Sequence, residues 1–135
     1  STHLMRPHAI AYLASIAWLL APPLQAAETG GLLREYLSGI SGNPVTNLTN
    51  HPDFPDTPSG TSTPTLFEAP SNWADAYGTR MRGYVRAPMT GAYTFWISGD
   101  DNCELWISPD ANPANAVLRA RVPIWTGPRQ WDKFP

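Results

Sequence analysis

Prolines and glycines interrupt this chain so often that no long helix fits between them. The 135 residues include 15 Pro and 10 Gly. A proline inside a helix removes a hydrogen bond and clashes with the preceding turn, at a cost of about 3 kcal/mol. The segments left between the breaks are short, and in the second half they alternate. Residues 79–87 place Met81, Gly83 and Val85 opposite Arg80, Arg82, Tyr84 and Arg86. Residues 92–98, Ala-Tyr-Thr-Phe-Trp-Ile-Ser, are dense in aromatic and β-branched types, which suit a pleated, half-buried surface. Further strands are expected over residues 32–38, 103–108 and 116–122, with turns at 88–91 and 99–102 and a loop at 109–115. Strands spaced roughly every 8 to 12 residues and separated by turn residues predict an all-β fold, a sandwich or a barrel.

The two runs flanking Gly99-Asp100-Asp101-Asn102 read as a hairpin. Tyr93, Phe95 and Ile97 then share one face, with Thr94 and Trp96 on the other. Residues 39–65 form a long loop rich in Gly, Pro, Ser, Thr, Asn and Asp, with one helical turn over 45–50 that ends before Pro52. A second helical turn is expected over 71–77, around Trp73. Asn47-Leu48-Thr49 fits the glycosylation pattern and has meaning only in a host that performs it.

Residues 1–4 precede Met5 and read as upstream sequence. Residues 5–26 carry the pattern of a secretory signal: Arg6, an apolar helical run over 9–21, then Pro22, Pro23 and a small-residue boundary at Ala26. The run is shorter than the roughly 20 apolar residues that span a bilayer. A mature β domain over residues 27–135 is therefore expected to be secreted, periplasmic or displayed at a cell surface, with no membrane anchor of its own.

Hydrophobic residues make up 42% of the chain and charged ones 15%, enough for a packed core. A formal net charge of −2 provides no basic patch for nucleic acid. His51 is the only histidine after residue 26, which excludes a His-rich zinc site, and beside Asp53 it reads as a solvated loop pair. Cys103 is the only cysteine, cannot pair within the chain, and shares a strand face with Leu105 and Ile107 as a small core residue. No Gly-x-Ser-x-Gly elbow and no phosphate-cradling glycine loop occur. Glu35, Glu68 and Glu104 are the residues a glycosidase pair would have to draw on. No catalytic residue is assigned, and this segment is expected not to be an enzyme.

Asp100 and Asp101 remain. Gly, Asp and Asn are ordinary turn residues, so a turn is one reading. A calcium site is the other, since calcium takes several hard oxygen ligands. Neighbouring side chains in a strand point to opposite faces, so two adjacent carboxylates reach one ion only where the backbone bends sharply, for instance through a cis peptide.

Three stretches carry a resemblance. They are Phe67-Glu68-Ala69-Pro70, Tyr77-Gly78-Thr79-Arg80-Met81-Arg82-Gly83-Tyr84-Val85, and the run from Gly91 to Ile107 containing Gly-Ala-Tyr-Thr-Phe, Gly-Asp-Asp-Asn and Leu-Trp-Ile. Together they resemble the PA-fourteen (protective antigen) domain, a β-sandwich shared by protective antigen, flocculins, fungal adhesins and bacterial glycosidases, which implies an all-β antiparallel sandwich of jelly-roll type here. The resemblance covers roughly residues 31–135. It implies that a cis peptide joins Asp100 and Asp101, and that these residues hold a calcium ion which ligates vicinal hydroxyls of a glycan. It also implies an asparagine and loop carbonyls from further along, beyond the Trp131-Asp132-Lys133-Phe134-Pro135 end of this sequence, so that the sandwich is expected to be incomplete there. Gly99 stands where many members carry a serine. The expected function is a calcium-dependent, lectin-like module of a larger cell-surface or carbohydrate-active protein; the alternative is a structural or protein-interaction module on the same fold.

Overall fold

The computed structural model describes residues 31–134, together with the backbone of residues 2–5 and 10–11. The elements run β1 (Thr2–Met5), β2 (Ile10–Ala11), β3 (Leu33–Ser38), α1 (Val45–Thr49), β4 (Gly60–Ser62), β5 (Tyr77–Arg82), β6 (Val85–Arg86), β7 (Gly91–Thr94), β8 (Cys103–Ile107), a 3-10 turn (Pro113–Asn115) and β9 (Val117–Val122). All strand pairings are antiparallel and helix is confined to short turns. The fold is all-β, as the punctuated sequence implies. Most of the expected signal segment lies outside the described residues; Thr2–Met5 and Ile10–Ala11 within residues 1–26 are extended and pair with β7 and β6.

β3 sits at the centre of a three-stranded sheet, between β4 and β5. Its inner face carries Leu37 and Glu35, both buried. Glu35 lies directly opposite Arg80 and diagonal to Arg82. Its carboxylate accepts from Arg80 Nε at 2.7 Å and from an Arg82 terminal nitrogen at 2.9 Å. The other face carries Arg34, whose guanidinium lies 4.3 Å from the Trp73 ring centroid and 5.1 Å from that of Tyr36. Trp73 packs edge-on against Tyr36 and Tyr77, with centroids 4.6 and 5.1 Å away. A buried charge that pairs with no carboxylate among the described residues is thus bedded in aromatic faces, whose quadrupoles attract cations. Helix α1 lays Leu48 on Gly78, where a Cβ would come within 2.7 Å of Leu48 Cδ1.

β8 and β9 form the second main pair, with a register shift between Leu105 and Trp106. Ile107 and Val122 are buried there, and Trp106 faces out. Asp110 organises the connection: its carboxylate accepts from the Asn112 amide at 2.8 Å and from Asn115 Nδ2 at 2.8 Å. These bonds hold its pKa below the usual carboxylate value.

Three local expectations are corrected. First, β7 does not pair with β8: its partner is β1, and the partner of β8 is β9. The intervening residues cannot close a hairpin because their backbone groups are used elsewhere. Gly99 bonds to Thr126, and Asp100 pairs with Trp125. The alternation itself holds, with Tyr93, Phe95 and Ile97 half-buried and Thr94 and Trp96 exposed. Second, residues 71–77 are a turn and not helical, since Asn72 (φ 51°) and Ala76 (φ 49°) adopt left-handed backbone. Third, the strand expected over 79–87 breaks at Gly83, where a Cβ would meet Leu32 Cδ2 at 2.5 Å. β4 lies inside the segment expected to be loop.

Candidate functional site

The chain leaves β7 and reaches Asp100 and Asp101, whose peptide bond is cis. The approach is clamped from a distant segment. Gly99 N donates to Thr126 Oγ1 at 2.8 Å, Thr126 N donates to Gly99 O at 2.7 Å, and Thr126 itself is buried. Next to this clamp, Asp100 and Trp125 form an antiparallel bridge. One step earlier, Arg129 N donates to Ser98 Oγ at 3.2 Å, and the Arg129 guanidinium is anchored on Glu68 at 2.8 and 3.0 Å. Beneath the loop lies Cys103: a Cβ on Gly99 would come within 2.6 Å of its sulfur. Glycine at 99 is therefore a packing requirement, set by the cysteine four residues on.

Asp100 is exposed and Asp101 half-buried. The pKa of Asp101 is raised, first by partial burial, then by the charge of Asp100 and a hydrogen bond with it. Among the described residues no arginine or lysine forms an ion pair with either, so their negative charge is left for something else. Neither is part of a group of three or more His, Cys, Asp or Glu side chains that could hold a metal, since the described residues contain no such group. A cation here would have two carboxylates as its acidic donors and would need further oxygens from carbonyls, amides or hydroxyls. Calcium accepts that kind of all-oxygen set, so the residue chemistry fits it.

Other candidates resolve into structural roles. Burial pushes the Cys103 thiol up to about 11, which suits packing and not nucleophilic attack. Glu35, Glu68 and Glu104 each engage an arginine: Arg80 and Arg82, Arg129, and Arg121 at 3.2 Å respectively. His51 pairs with Asp53 within its loop, at 3.7 Å. The residues that sequence reasoning missed are Trp125, Thr126 and Arg129, which grip the Asp-Asp loop from far along the chain; no local pattern points to a pairing of that span. Among the described residues, no helix is long and apolar enough to cross a membrane.

The described residues form an all-β domain that carries paired aspartates on a clamped loop. The family comparison agrees: the PA14 domain matches residues 28–110, and the chain belongs to the PA14 domain family. It is also 31% identical, over 117 residues, to the mouse protein N-acetyl-beta-glucosaminyl-glycoprotein 4-beta-N-acetylgalactosaminyltransferase 1. That match covers 84% of this chain and 11% of the mouse protein, so the chain corresponds to a small part of that relative's length. No solved structure matches.

Proposed function

We propose that this chain is a secreted, calcium-dependent carbohydrate-binding module attached to a larger carbohydrate-active protein. The observation that carries the reading is the pair of adjacent carboxylates at Asp100 and Asp101, held on a clamped loop and, among the described residues, paired with no arginine or lysine. Asp100 and Asp101 would hold the calcium, and the bound ion would supply open coordination positions for vicinal sugar hydroxyls. Thr126 fixes Gly99 through both the N–H and the C=O of the glycine, next to the antiparallel bridge of Asp100 with Trp125. The carboxylates therefore meet a ligand without first having to be ordered, which lowers the cost of binding. The name of the mouse relative specifies a glycoprotein acceptor with N-acetyl-β-glucosaminyl ends, which supports glycans of that kind as the first to test. In this segment the role is binding; catalysis belongs to other parts of the whole protein.

Calorimetry with calcium, followed by a glycan panel with and without chelator, tests the reading. Asp101→Asn should abolish metal-dependent glycan binding and leave the fold intact, because a half-buried loop carboxylate is replaced by a near-isosteric amide. Glycan binding that survives chelator, or survives both Asp100→Asn and Asp101→Asn, would refute the calcium site; absence of any glycan binding would transfer the chain to the structural or protein-interaction reading.

A further inference from the structure

The carboxylate pair has a neighbour of a different chemistry. Trp125 is bridged to Asp100 in antiparallel fashion. Directly opposed side chains of such a pair share a face, with Cβ atoms roughly 4.5–5.5 Å apart. The bridge therefore sets the Trp125 and Asp100 side chains on the same face. The indole is 51% exposed, although a large apolar ring is ordinarily drawn inward. It is also held in place. Lys133 Nζ lies 3.5 Å from its ring centroid and donates to the Trp125 carbonyl at 2.6 Å. A cation that packs on the ring and bonds to the same residue's backbone restrains an indole that is still half exposed to a ligand.

We infer that Trp125 is the stacking platform of this site and that it selects a pyranose with an uninterrupted axial C–H face, the gluco configuration found in β-linked glucose and N-acetylglucosamine. The inference rests on the carbohydrate-binding reading above and deepens it. A gluco ring carries its hydroxyls equatorially, at the rim, and its C–H bonds axially, on both faces. Set against an indole, such a ring turns its apolar face to Trp125 and its rim hydroxyls toward Asp100 and Asp101. An axial hydroxyl on the stacked face would be pressed against the indole without a partner, and burying an unpaired hydroxyl is unfavourable. Trp125 thus supplies discrimination between epimers, while the carboxylate pair supplies the polar anchor.

The test uses methyl β-N-acetylglucosaminide and methyl α-mannoside, titrated by NMR into the chain at saturating calcium, with calcium binding followed separately by calorimetry. Trp125→Ala is expected to bind calcium as the parent does and to weaken N-acetylglucosaminide binding by roughly tenfold, the scale of losing one aromatic contact. Trp125→Phe should keep most of the affinity. Saturation transferred from the protein should appear most strongly at the axial ring protons of the sugar. Unchanged sugar binding in Trp125→Ala, a loss of calcium binding in the same variant, or saturation spread evenly around the sugar would each overturn the platform while leaving the parent reading standing. Should Trp125→Ala fail to fold, Trp125→Phe and the saturation pattern on the parent chain decide the matter. A parent chain that binds no sugar in the presence of calcium removes both the carbohydrate reading and this inference.

Discussion

Gly99→Ala probes how the Asp-Asp loop is seated. An ideal Cβ at this position would lie 2.6 Å from Cys103 Sγ, 2.8 Å from Cys103 Cβ and 3.3 Å from the Asp101 carbonyl oxygen. The first two are well inside ordinary van der Waals contact, and the thiol is boxed in by the strand that carries it. Overpacking of this kind costs about 1–3 kcal/mol. Part of that is offset because alanine narrows the unfolded ensemble by about 0.4–1 kcal/mol. A net loss on the order of 1–2 kcal/mol is expected in urea denaturation. Cys103→Ala deletes the sulfur and leaves only the Cβ contact. The double variant should therefore be more stable than the sum of the two single effects, with a coupling of about 1 kcal/mol. Because Asp100 follows Gly99 directly, glycan binding should fall in Gly99→Ala and partly return in the double variant. Strict additivity in the cycle would show that Gly99 and Cys103 do not compete for space, and the account of glycine at this position would fail.

Glu35→Gln should destabilise the domain by about 3 kcal/mol, since it leaves two largely buried guanidinium groups, Arg80 and Arg82, without their carboxylate; a chemical-denaturation shift under about 1 kcal/mol would argue against a buried ion pair. Asp110 has its pKa lowered from 3.8 by the Asn112 amide, then Asn115 and Ser108. A depressed carboxylate contributes stability above its unfolded pKa and loses it as pH falls through its folded value. Melting temperature should accordingly drop below pH 3.8 more steeply in the parent chain than in Asp110→Asn, as followed by circular dichroism; parallel curves would refute the linkage.

The fold class was legible because it depends on local chemistry. Frequent Pro and Gly exclude long helices, and alternation in runs such as Cys103–Ile107 and Val117–Val122 reports a pleat with one face turned inward. Partner choice was less legible, because it depends on where backbone groups far apart in sequence find each other. The hairpin expected between β7 and β8 is the clearest case. Both flanking runs and the turn residues favour it locally, yet the Gly99 and Asp100 backbone is taken by Thr126 and Trp125. The helical turn expected over residues 71–77 failed for a related reason. Trp73 looked like the hydrophobic side of a helical turn, whereas its place is set by Arg34, Tyr36 and Tyr77 across the sheet.

The candidate site divides along the same line. Asp100 and Asp101 are adjacent in sequence, so the pair could be picked out by eye, and the resemblance supplied the cis geometry found between them. What turns two turn residues into a seated pair lies elsewhere. Thr126 uses its side chain and its amide on a single glycine, Arg129 ties the loop to Glu68, and Lys133 restrains the indole of the residue bridged to Asp100. None of these has a signature of its own: a Thr-Gly-Pro-Arg run after a tryptophan reads as ordinary loop. They acquire meaning only once the strand β9 returns alongside β8 and delivers residues 123–133 to the far side of the Asp-Asp loop. The binding chemistry is thus local and the preorganisation is not. Substitutions in residues 125–129 should accordingly weaken a ligand's hold on Asp100 and Asp101 without altering either carboxylate.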